Sequence, residues 1–156
     1  MPELDDIHAP RPWVQVAAIC QTAIVEANTG SLSVIKITDS IGVAGMTPQM
    51  QPQPIQLTMV IVLKSDEMKG QFHVKIRVTS PQGQMTMGQE ILFVFEGGPR
   101  GVQTVLPIGM VATESGLYWF DVMLEDVVLT RVPLTVLYQR IQPPTGLPPG
   151  FLQPGS

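Results

Sequence analysis

Apolar residues alternate with polar ones at a spacing of two along most of the chain, and no window of a dozen residues carries the i, i+3, i+4, i+7 stripe of an amphipathic helix. The alternation is clearest from Gln71 to Thr79. There Phe72, Val74, Ile76 and Val78 fall on one side of a strand, and Gln71, His73, Lys75, Arg77 and Thr79 on the other. Ile55, Leu57, Met59, Ile61 and Leu63 form a second inward set. Tyr118, Phe120, Val122 and Leu124 form a third, opposed by Trp119, Asp121, Met123 and Glu125. Further strands are expected at 13–20, 31–41, 85–95, 101–110 and 127–137, which makes about eight. The predicted fold is an all-β, single-domain antiparallel β-sandwich, immunoglobulin-like or C2-like, with a small closed barrel as the competing architecture.

Turn chemistry sets the boundaries. Asn28-Thr29-Gly30, Ser80-Pro81-Gln82-Gly83, Gly97-Gly98-Pro99 and Glu114-Ser115-Gly116 supply the residues that tight reversals need. Pro107 and Pro133 fall inside expected strands and cannot donate to a ladder, so those strands should be edges or bulged there. Gly42 to Pro54, rich in Gln, Met and Pro, reads as the longest and most mobile loop. Residues 1–12 read as an extended arm and 13–138 as the β domain. Residues 139–156, with Pro143, Pro144, Pro148, Pro149 and Pro154, read as a disordered tail whose proline spacing also permits polyproline recognition.

The run Ala18-Ile19-Cys20, followed by Gly30-Ser31-Leu32-Ser33-Val34-Ile35 and Thr38-Asp39-Ser40-Ile41, resembles the opening hairpin of a family of small bacterial β-sandwich proteins catalogued only as a domain of unknown function. Ser80-Pro81-Gln82-Gly83 is similar to that family's D-P-D-G-type turn, with Ser and Gln where acids are common. Ser115-Gly116-Leu117-Tyr118-Trp119-Phe120 is similar to its G-x-Y-x-F strand, and Val132-Pro133-Leu134-Thr135-Val136 to its closing P-L-x-V strand. The resemblance covers roughly 13–138 of the chain. It implies the sandwich fold and lends neither an activity nor catalytic residues.

Composition narrows the function classes. Charged residues make up only 14% of the chain and hydrophobic ones 44%, with a formal net charge of −4 and no basic run, so nucleic acid is set aside as a partner. Cys20 is the one cysteine, which leaves no intramolecular disulfide and no Cys/His zinc finger. The opening MPELDDIHAPRPW is not a Sec signal, no apolar stretch approaches the ~20 residues of a membrane helix, and the expected location is cytoplasmic.

Candidate chemistry is sparse. Cys20, in phase with Val14, Val16 and Ala18, reads as a buried, inert thiol. His73, between Lys75 and Arg77 on the polar side, reads as a solvated surface histidine. No P-loop, Rossmann fingerprint, nucleophile elbow or HExxH motif occurs. If strands run up and down in order, Glu26, Asp66, Glu67, Glu96, Glu125 and Asp126 collect at one end, where calcium could bind or the acids could simply be solvated. The opposite end collects Met46, Met50 and Met85, and flexible methionines suit an adaptable contact surface or a core gap. Leu117, Trp119 and Met123 form an apolar stripe on the outward side of their strand. The pair Asp121 and Glu90 offers an acid and a base in principle.

These readings favour a non-catalytic interaction or structural module that contacts another protein or itself, without a cofactor. The alternative is a small-ligand or calcium-binding sandwich using the acidic loops.

Overall fold

In the computed structural model residues 11–143 are described. The chain is all-β, with no helix among the described residues, and its seven strands join one hydrogen-bonded sheet. They are β1 (Trp13–Val25), β2 (Leu32–Ile37), β3 (Ser40–Gly45), β4 (Gln53–Thr79), β5 (Met85–Ala112), β6 (Gly116–Leu124) and β7 (Val127–Arg140). The order is β2-β1-β4-β6-β7-β3, with β5 also paired to β4. All pairs are antiparallel except β3 with β7. The sheet is open, with β2 and β3 at the ends of its path.

Strands predicted as 55–63 and 71–79 are one strand of 27 residues, and those predicted as 85–95 and 101–110 are one of 28. The expected loops at 64–70 and 96–101 are therefore a corner. Register slips occur between Lys64 and Asp66 and between Asp66 and Lys69, opposite Gly97 and Gly98. Bulges of this kind bend a paired ribbon without ending it. Gly97 and Gly98 take φ of 84° and 64°, and Asp66 takes 52°, so the glycines relieve most of the left-handed strain of the bend. The inward set changes phase here. Met59, Ile61, Leu63 and Ser65 are buried before the corner, and Met68, Val74 and Ile76 after it. Gly97-Gly98-Pro99 is thus not a chain reversal.

Two other boundaries move. The strand expected at 31–41 divides into β2 and β3, and Gly42 to Gly45 belongs to β3 rather than to a loop, because it pairs in parallel with Leu137 to Arg140 of β7. β7 runs past the expected domain end at 138, and the Ile141 amide donates to the Gly45 carbonyl at 2.7 Å. The arm and tail readings at 1–10 and 144–156 lie outside the described residues.

One core draws on both limbs of the bent β4–β5 ribbon. Met59, Ile61, Leu63 and Leu106 of the first arm join Val74, Ile76, Phe93 and Phe95 of the second, with Phe120, Val122, Leu134 and Val136 from β6 and β7. Phe95 packs edge-on to Phe72 at 5.7 Å between centroids and lies 6.2 Å from Phe93. The β1–β2 turn approaches the far edge of the ribbon, where Gln103 donates from Nε2 to the Gly30 carbonyl at 2.7 Å. Cys20 is buried, as its phase implied, and burial pushes its thiol pKa up.

The proline expectation is met. Pro107 lies on β5, which among the described residues pairs only with β4. At Pro133, among the described residues, strand β7 pairs with β6 on one side and with no strand on the other, since β3 joins only from Thr135.

Candidate functional site

The second half of β4 sits between β5 and β6, and its register aligns outward side chains in rows. Met85, Thr79, Trp119 and Pro133 share one row. Met87, Arg77, Asp121 and Arg131 share the next, and Glu90, Lys75, Met123 and Val128 the one after. Leu117 lies beside the first row, opposite Thr135. The predicted stripe and Met85 therefore meet on one face.

The middle row is its most constructed part. Asp121 has no exposed surface, although it points away from the core set of β6. Arg77 donates to its Oδ2 from Nε at 3.1 Å and Nη2 at 2.7 Å, and Arg131 donates to Oδ1 from Nε at 2.7 Å. Burial alone would push the carboxyl pKa up. The hydrogen bonds and positive charges of Arg131 and Arg77 together outweigh it and hold Asp121 below its ordinary value. The Arg131 guanidinium also lies over the Trp119 ring, 4.8 Å from its centroid. Trp119 is half-buried in consequence, and Leu117 stays exposed.

Sequence reasoning missed Arg77 and Arg131 as a pair. The signal lay in the β6–β7 hairpin, but a register shift between Val122 and Met123 sets Arg131 opposite Asp121, where an unbroken ladder from Leu124 and Val127 would have set Thr130. Met123, expected on the outward side of its strand, is buried. It lies at that shift, flanked by Lys75 and Val128, and the lysine stem is long enough to cover it.

The proposed acid and base are not brought together. Asp121 is held by two arginines, while Glu90 Oε1 contacts His73 Nδ1 at 2.6 Å in a half-exposed pair. His73 thus has a carboxylate partner rather than only the neighbouring cations.

The remaining candidates scatter. Met46 is exposed after β3, whereas Met50 packs against the core. Tyr138 fastens that segment by donating to the Thr47 carbonyl at 2.6 Å. Of the acids, Glu26 accepts from the Thr29 hydroxyl in the β1–β2 turn. Asp66 and Glu67 lie in the corner of β4, and Glu96 accepts from Arg100 Nη1 at 2.6 Å. Glu125 accepts from the His73 amide at 2.9 Å, with Asp126 beside it between β6 and β7. The up-and-down placement fails because 64–70 and 96–101 are a corner inside paired strands. Among the described residues no three His, Cys, Asp or Glu side chains form a group able to hold a metal ion. No helix of the described residues is long and apolar enough to cross a membrane.

A second feature lies on the opposite side of β4. A cavity of about 540 Å³ opens between the two limbs of β5, lined among others by Gln56, Val78, Thr86, Gly109, Met110 and Tyr118. Tyr118 donates to the Glu114 carbonyl at 2.8 Å, which fixes the β5–β6 turn beside it.

The chain belongs to a family of unknown function, DUF6941, whose model matches residues 15–137. No curated protein matches the chain.

Proposed function

We propose that this member of the family is a non-catalytic interaction module on a two-layer β-sandwich, and that it meets a protein partner with the face centred on Trp119. The two-layer reading draws on the corner in β4 and β5, and on a core to which both limbs contribute. Sheets folded on each other bury their facing side chains in that way.

The observation that carries the interaction reading is the Trp119–Arg131 stack above a fully paired Asp121. Aromatic and arginine side chains supply much of the binding energy at protein interfaces when the surrounding polar groups are already satisfied. Here the one carboxylate of the row is paired internally, so the face presents Trp119, Leu117, Met85 and Pro133 without an unmet buried charge. The alternative through acidic loops draws less support, because the six acids are spread over the β1–β2 turn, the corner and the β6–β7 turn.

The test compares tagged full-length protein with Trp119→Lys, by capture from host lysate and by mass in light scattering. The expected result is a specific partner, or a dimer, lost in a variant whose melting temperature is unchanged. Identical partners and identical mass for both folded proteins would overturn the reading.

A further inference from the structure

The cavity between the limbs of β5 continues into a second of about 230 Å³, and the two share Val78, Gly88 and Gly109. Together they form a seam whose floor reaches core residues Ile76 and Ile108, and neither cavity has an Asp, Glu, Lys, Arg or His in its lining.

The rims are strand edges. Among the described residues β5 pairs only with β4, so its other edge has no strand partner over its length. Folded proteins blunt such edges with proline, lysine, bulges or shortness. β2 and β3 have six residues each, and β2 carries Lys36 at a φ of 54°. The limb 101–112 of β5 carries Pro107. The limb 85–96 has no proline and no lysine, so every residue there retains an amide donor, and it is bulged only at Gly88 and Gln89, opposite Ile76. Gly88 and Gly109 stand on opposing rims of the seam. At Gly88 the backbone that approaches closely is that of Ile76 in β4, whose carbonyl oxygen an added Cβ would meet at 3.0 Å.

We infer that this seam is a binding site, separate from the Trp119 face, for an extended uncharged peptide segment of another protein, which adds as a strand to β5 at 85–96 and lays alternate apolar side chains between the limbs. Strand addition takes its affinity from main-chain hydrogen bonds and its selectivity from pockets for every second side chain. An apolar floor without counter-charge selects against ionised side chains, whose desolvation nothing there would repay.

The experiment uses full-length protein and a fluorescent panel of uncharged peptides of about ten residues, in which Val, Leu or Phe alternates with Thr or Gln. Anisotropy is read up to about 1 mM peptide, with hydrogen exchange of the β5 amides alongside. Two variants close the seam. Thr86→Lys places a charge at an exposed lining position. Gly109→Val fills the rim, where the atoms nearest an added Cβ are those of the Gln56 side-chain amide, from 3.3 Å. Trp119→Lys serves as the control for the other face.

The expected result is saturable binding by panel members, slowed exchange at 85–93, at least about tenfold weaker binding in both seam variants and unchanged binding in Trp119→Lys. Binding that survives both seam variants, or no binding by any panel member, overturns the inference and leaves the Trp119 reading standing. A wild-type dimer that Thr86→Lys makes monomeric would also overturn it, by assigning the edge to a second copy of the chain.

Discussion

Alternate residues of one strand build two regions of opposite character. On one side of β4, Lys75 and Arg77 enter a face in which the carboxylate of Asp121 is fully enclosed by guanidinium groups. On the other, Ile76 and Val78 floor an uncharged seam whose β5 edge has no strand partner among the described residues. The first region has completed its polar pairing within the chain, and the second has not. Completed pairing makes a surface rigid and ready for apolar contact, whereas an unpaired edge beside an apolar groove retains hydrogen-bonding capacity for an incoming backbone.

The contrast can be broken most severely at Asp121. Asp121→Ala leaves two neighbouring guanidinium groups without their shared carboxylate. Both arginines keep some contact with solvent, so the expected loss is about 2–3 kcal/mol, below the full penalty of a broken buried pair. Urea unfolding with a comparison of midpoints would measure it.

The same residue sets a pH dependence. Its folded pKa lies below the unfolded value of about 3.9, so its contribution is present above that value and lost as pH falls through the folded pKa. Wild type should lose melting temperature as the pH drops below about 4. Asp121→Asn, neutral throughout, should lose less over that window, and parallel acid titrations by circular dichroism would show the difference.

Arg131→Met sharpens the comparison at smaller scale. It removes one hydrogen bond to Asp121 and the stack on Trp119 but leaves the Arg77 fork, for an expected loss of about 1–2 kcal/mol. The tryptophan emission should change along with stability, while Trp13, exposed at the start of β1, contributes a constant background.

The smallest effects belong to the edge. Leu92→Lys, on the exposed side of β5, should change stability by no more than about 0.5 kcal/mol. It should nevertheless lower aggregation on heating, because a lysine on an open edge discourages strand addition. Light scattering during a thermal ramp, read beside the melting curve, separates the two quantities.

Much of the fold was legible before the structure. The inward sets Ile55 to Leu63, Phe72 to Val78 and Tyr118 to Leu124 all face the core, because a strand's side chains alternate whatever its partner. The error lay between them. The change from odd to even inward positions around Ser65 to Met68 was read as a loop, yet it is also the mark of a bulged corner inside one strand. Nothing local distinguishes the two, since glycine, lysine and acids suit either. Continuation of the strand depended on β5 bulging at the matching place.

The candidate site was legible in its apolar half. Trp119 and Leu117 could be placed on outward positions by parity alone, whereas the enclosure of Asp121 could not. It required β4 to lie beside β6, and a register shift to bring Arg131 rather than Thr130 opposite the carboxylate.

By itself, then, the sequence determined the strand character, the inward sets of its three clearest strand segments and the buried thiol, because each follows from the period of one segment or from the residues present. Only the tertiary structure decided that β4 and β5 run on through a corner, that two arginines from different strands close over one aspartate, and that a seam opens along β5. Those features depend on which strands become neighbours and in what register, and pairing across long sequence separations is set by the collective packing of the core rather than by any one segment.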